Sequence, residues 1–137
     1  MEAAEKNALE AQSGTEKGRD ATSRGNGRTL LFACSGFSNT GKLTMQAAST
    51  LAFRRPNVYR AAAAHKGADS AEDALSEGFR VIVLDGCGDR CATKKLGEAG
   101  LQADCSLMVT ELGIEKTRPS DIKNEYVEKI IRAIREM

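Results

Sequence analysis

The sequence predicts a three-layer α/β sandwich: a four-stranded parallel sheet with helices on both faces. Three observations carry this prediction. Short apolar runs alternate four times with segments of helical periodicity between residues 29 and 137, the order that builds parallel sheets from strand–helix–strand units. The run Arg80–Leu84 has four consecutive large aliphatics, which suits a strand buried on both faces. Finally, two of the runs end in turn residues, Cys34-Ser35-Gly36 and Asp85-Gly86, as strands do when they pass into loops.

Taken in order, Leu30-Leu31-Phe32-Ala33 reads as the first strand. Leu43, Ala47 and Leu51 then recur every four residues, the buried face of a helix opening near Asn39. Val58–Ala63 is rich in alanine, which favours helix, but it follows Pro56 and lies between two helical segments, so a strand is expected. Ser70 with Asp73 resembles a capping box for a short helix that Gly78 ends. Arg80–Leu84 is the third strand. Ala92, Leu96 and Ala99 mark a helix that Gly100 stops. Leu107-Met108-Val109 is the fourth strand, opened by Cys105 and leaving through Thr110-Glu111-Leu112-Gly113. The last helix opens at Pro119-Ser120-Asp121 and lines up Ile122, Tyr126, Ile130 and Ile134, with Lys129, Arg132 and Arg135 near its C-terminal end, where they complement the helix dipole. The expected strand order is 2-1-3-4, a Rossmann- or flavodoxin-like arrangement.

Residues 1–28 stand apart. They hold one leucine, no aromatic residue and no valine or isoleucine, with five acidic and five basic side chains. Such a segment buries too little apolar surface to offset its ordering entropy, so a disordered tail is expected there and a single domain over 29–137. Residues 3–12 could form a transient helix.

Composition narrows the function. Twenty basic against 19 acidic residues lack the basic excess of a dedicated nucleic-acid binder. No apolar stretch is long enough to span a membrane. The first residues lack the basic-then-apolar build of a secretory signal, so a cytoplasmic location is expected, with the four cysteines reduced.

Those cysteines are the feature to explain. In open parallel sheets, ligands bind beyond the carboxyl ends of the strands, where strand order reverses. Cys34 ends the first strand, Cys87 lies just past the third, and Cys91 follows in the first helical turn. Three thiols are therefore expected at one edge, although 53 residues separate Cys34 from Cys87. The Cys87-x3-Cys91 spacing lies within the range used by zinc pairs, and a helix N-terminus favours thiolates. The expected site is zinc held by Cys34, Cys87 and Cys91. The alternative is a thiol redox or sulfur-transfer enzyme with Cys34 as nucleophile beside Cys87 or Cys91, and a bland reading takes all three as buried small hydrophobes.

Asp85-Gly86-Cys87 with Asp89-Arg90-Cys91-Ala92 resembles the signature of the DGC-domain family. Cys34-Ser35-Gly36 with Asn39-Thr40-Gly41-Lys42-Leu43-Thr44 resembles that family's first motif, and Thr110–Lys116 its last. The resemblance covers residues 29–137 and implies zinc chelation by four cysteines, Cys105 among them; it implies no particular biochemical role. Chain order speaks against Cys105, because a five-residue strand spans about 17 Å and Cys105 starts its strand at the far end. A fourth ligand would then come from His65, Asp85 or Glu111, each at a carboxyl end, or from water. Asp85 could instead hold its turn by accepting backbone N–H bonds.

The loop Gly36–Lys42 fits the G-x4-G-K core of a phosphate-binding loop. The match fails at Leu43, where a hydroxyl should hold magnesium; Thr44 comes one position late. What remains is an anion site for a small anionic ligand, formed by Ser38, Asn39, Thr40, Gly41 and Lys42 at a helix N-terminus, or simply a cap supplied by Asn39 or Thr40. A cysteine-phosphatase reading of Cys34 would need an arginine six positions on, where Thr40 stands.

Overall fold

The structure, a computed structural model, describes residues 27–34, 36 and 38–137. The expectations for residues 1–26 lie outside it. Four strands, β1 (Thr29–Ala33), β2 (Tyr59–Ala63), β3 (Arg80–Asp85) and β4 (Cys105–Met108), alternate with four helices, α1 (Asn39–Arg54), α2 (Asp69–Ser76), α3 (Cys91–Glu98) and α4 (Asn124–Arg135). The strands form one parallel sheet in the order β2-β1-β3-β4. This is the predicted α/β architecture, and it is consistent with Rossmann- or flavodoxin-like topology.

The two-residue period of the strands sorts the core into two faces. Leu31, Ala33, Ile82 and Leu84 turn one way and pack against Leu43, Ala47 and Leu51 of α1 and against Val127, Ile130 and Ile134 of α4. Leu30, Phe32, Cys34, Val81 and Val83 turn the other way, against Ala71 and Ala74 of α2 and Ala92 and Leu96 of α3. Because β1 and β3 are central, all of Leu30–Ala33 and Val81–Leu84 are buried, which is why these runs are continuously apolar. Full burial of each Leu, Ile or Val contributes about 1.5–3 kcal/mol.

Local details depart from expectation in three places. The Ser70–Asp73 capping box does not form: α2 begins at Asp69, and its N-cap, Ala68, has no side chain to accept an N–H. α4 begins at Asn124, after a turn at 119–120 closed by the Thr117 hydroxyl donating to Asp121 Oδ2 at 2.7 Å. Val109 leaves the sheet in a 3-10 turn, Val109–Leu112, so β4 is Cys105–Met108.

Strand register sets which loops meet. Ala33 pairs with Leu84, Asp85 with Met108, and Cys105 with Ile82. The carboxyl ends of β1 and β3 thus lie side by side where the chain order reverses, while Cys105 sits three residues back along β3, about 10 Å away along the strand direction.

Candidate functional site at the carboxyl edge

Two loops form the edge, β1–α1 and β3–α3, and glycines bring them together. A Cβ on Gly41 would stand 2.7 Å from the Gly36 nitrogen, and one on Gly86 would stand 2.8 Å from the Gly41 nitrogen. Backbone therefore touches backbone at a distance that no side chain could share.

Hydrogen bonds fix the start of α1 and tie it to the end of β1. Ser38 caps α1, its Oγ accepting from the Gly41 N–H at 3.4 Å, while the Lys42 N–H donates to the Ser38 carbonyl at 3.0 Å. Thr44, the hydroxyl one position too late for a magnesium ligand, donates to the carbonyls of Cys34 and Gly41 and so ties the end of β1 to the start of α1. Asn39, 1% exposed, reaches across to the segment before α4. Its Nδ2 donates to the Glu115 carbonyl at 2.9 Å, and its Oδ1 accepts from the Thr117 N–H at 2.5 Å.

On the β3–α3 side, Asp85 is equally buried, at 1% exposure. Its Oδ1 accepts from the N–H groups of Ala92 and Thr93 at 2.9 and 3.3 Å, and its Oδ2 from the Thr93 hydroxyl at 2.5 Å. Arg90, the residue before α3, is left-handed with φ 51° and gives that helix no side-chain cap. Asp85 supplies the cap instead, from the end of the strand.

The cysteines do not come together. Cys34 turns into the α2–α3 face among Leu30, Phe32, Val83 and Ala92 and is buried. Burial raises its thiol above the ordinary value; the N–H groups of Gly36 and Gly86 act in the opposite sense, and the charges of Cys91 and Asp85 add smaller upward contributions. Cys87, the residue after Gly86, accepts from Lys116 Nζ at 3.4 Å and lies 3.6 Å from Asp89 Oδ2. Cys91 is exposed at the start of α3. Cys105 opens β4, packs against the α1–α4 face, and is raised above the ordinary thiol value chiefly by burial.

This arrangement overturns the expected zinc site. Among the described residues, no group of three or more His, Cys, Asp or Glu side chains could hold a metal ion. The expectation failed because it counted strand ends and not side-chain directions. Cys34 and Cys87 share an edge, but one thiol enters the core and the other faces a lysine. The thiol redox and sulfur-transfer alternative fails for the same reason, since the thiols are scattered and form no redox-competent cluster. The expected fourth ligands do not complete a site either. His65 lies exposed in the 3-10 turn Ala64–Lys66, Glu111 is exposed in Val109–Leu112, and both Asp85 oxygens are engaged with α3.

A family model described as the DGC domain matches residues 30–134. The chain belongs to the DGC-domain family. Membership brings the domain without the zinc chemistry that the resemblance implied, because this DGC domain does not assemble its cysteines into a ligand set. No curated protein and no solved structure matches the chain.

Of the five residues expected to form an anion site in this DGC domain, Asn39, Thr40 and Gly41 are buried, Ser38 is half-buried and Lys42 is exposed. Three residues make contacts at this edge that the sequence did not assign to them. Thr93 and Thr44 each bind a partner in a neighbouring turn, and a hydroxyl just inside a helix after a strand-ending Asp is a signal that could have found Thr93. Lys116 reaches Cys87 across 29 residues, a contact that no local pattern announces.

Proposed function

We propose that this DGC domain binds a small anionic ligand at the carboxyl edge of its sheet, with the Lys42 and Lys116 side chains as the cationic contacts. The observation that carries the reading is the Asn39 clamp. By holding Glu115 and Thr117, it fixes the segment with Lys116 against the N-terminus of α1, whose first turn presents Lys42 to solvent. Two ammonium groups and the positive end of a 16-residue helix then serve one edge. The Asn39, Gly41 and Lys42 amides already bond within the chain, so recognition falls to the lysine side chains and the helix field.

The reversal of strand order between β1 and β3 supports the location, since open parallel sheets bind ligands there. A formal net charge of +1 favours a small anion over a nucleic acid. No described helix is long and apolar enough to cross a membrane, and four free thiols suit the reducing cytoplasm.

Calorimetric titration with inorganic phosphate and pyrophosphate tests the reading. The wild-type chain is expected to bind one of them, with affinity falling about tenfold in Lys42→Ala and again in Lys116→Ala, and falling with added salt. Absence of binding, or binding unchanged in the double variant, overturns it.

A further inference from the structure

We infer that Cys87 and Lys116 form an acyl-transfer pair, in which the thiol accepts an acyl group from a thioester and passes it to the lysine amine. Two different nucleophiles stand 3.4 Å apart, Sγ to Nζ, at a surface a small reagent can reach. Lys116 is 48% exposed and Asp89 beside it 71% exposed, and Cys87 is half-buried. The inference does not rest on the anion site.

Two steps suffice, and neither needs an oxidant or a metal. In the first, the Cys87 sulfur attacks the thioester carbonyl. A carbon–sulfur bond to Cys87 forms, the carbon–sulfur bond to the donor breaks, and the donor leaves as a thiol carrying the proton. In the second, the Lys116 ammonium gives one proton to solvent and the resulting amine attacks the same carbonyl. A carbon–nitrogen bond forms, the bond to Cys87 breaks, and the sulfur recovers the proton that the nitrogen gives up. The sum is thioester plus amine giving amide plus thiol.

Geometry favours the second step because the acylated sulfur holds the carbonyl next to the amine, converting a bimolecular reaction into an intramolecular one. Both partners are held in place. The turn carrying Cys87 is closed by the Arg90 N–H donating to the Cys87 carbonyl at 3.0 Å, and Lys116 lies between the two residues that Asn39 grips. Proton inventory favours the same order. The hydrogen bond and charge of Cys87 are the first causes that hold the Lys116 ammonium above its usual value, ahead of Asp89. Acylation ties the sulfur to the acyl carbon, so the first step itself weakens the Cys87 contact that is the first cause of the raised Lys116 ammonium. Asp89 Oδ2, 3.6 Å from Nζ, keeps the amine at the site.

The test uses the full chain and an uncharged donor, the acetyl thioester of N-acetylcysteamine, with acetylation of each lysine followed by peptide mass spectrometry. Lys116 is expected to acetylate faster than the exposed Lys94 and Lys129, and Cys87→Ala is expected to slow Lys116 by roughly tenfold or more while leaving the other two unchanged. In Lys116→Arg the acetyl group is expected to stay on Cys87 as a hydroxylamine-labile thioester. Equal Lys116 rates in wild type and Cys87→Ala, or no thioester on Cys87 in Lys116→Arg, overturn the inference. Circular dichroism of both variants confirms that the fold is intact.

Discussion

Asn39 and Thr117 are 78 residues apart in sequence, yet the Asn39 carboxamide oxygen accepts the Thr117 N–H at 2.5 Å while its nitrogen holds the Glu115 carbonyl. One buried side chain at the first position of α1 thus satisfies two backbone groups of a segment that has no regular structure of its own. Asn39→Ala would leave both groups without that partner. The expected cost is about 1–3 kcal/mol, read by urea denaturation. Faster amide exchange is expected at Thr117, with the central strands unchanged.

Asp85 is the cap of α3 although it lies six residues before the helix in sequence. Asp85→Ala is expected to destabilise the fold by about 2 kcal/mol. Asp85→Asn, which keeps one acceptor oxygen, should cost less. Chemical denaturation of the two variants checks the order. If the two cost the same, the hydrogen bonds to Ala92 and Thr93 are not what holds α3.

The glycine contact makes a contrasting set. Gly41→Ala and Gly86→Ala place a methyl group within 2.9 Å of backbone atoms that cannot swing aside, and each is expected to cost about 1–3 kcal/mol or more. Gly88→Ala meets nothing within 4 Å and should stay within about 0.5 kcal/mol of wild type. Gly97→Ala, inside α3 and equally open, should stabilise by up to about 1 kcal/mol. Thermal unfolding midpoints measure all four.

Thiol titration gives a pH signature. Burial raises both Cys34 and Cys105 above the ordinary value of 9.0. At low pH both states are protonated and no stability is lost. As pH rises through 9.0 the unfolded thiols ionise first, the unfolded state binds fewer protons, and stability falls until the folded thiols ionise too. The alkaline decline in unfolding free energy should therefore be shallower in the Cys34→Ala, Cys105→Ala double variant. Near neutral pH, iodoacetamide should label exposed Cys91 first and Cys34 last.

The fold was legible because its signals are long and periodic. Two central strands buried on both faces must be continuously apolar, and α4 carries its apolar residues on one stripe; both patterns survive in a single sequence. Strand order also followed, and with it the placement of Cys105 at the start of β4. The candidate site was legible only as far as chain order reaches. Knowing that Cys34 and Cys87 share an edge does not say that one thiol packs beside Phe32 and the other beside Lys116, since that depends on side-chain direction past the last ladder hydrogen bond. The Ser70–Asp73 motif misled because residues suited to capping do not form a cap when the helix begins two residues early. The reach of Asn39 to Thr117 is a tertiary contact between an ordinary helix-start residue and an ordinary loop residue, and neither residue type announces it.

The contact of Gly36, Gly41 and Gly86 carries a mechanical consequence. Side chains at an interface can trade rotamers and absorb displacement, but three bare backbones in contact have no such slack. The turn after β3 therefore cannot shift toward α1 without pushing the first turn of that helix, and through Asn39 the strand of chain that carries Lys116 moves with it. Parts of the sequence as distant as Gly36 and Thr117 are thus joined at this edge by an unbroken series of direct contacts.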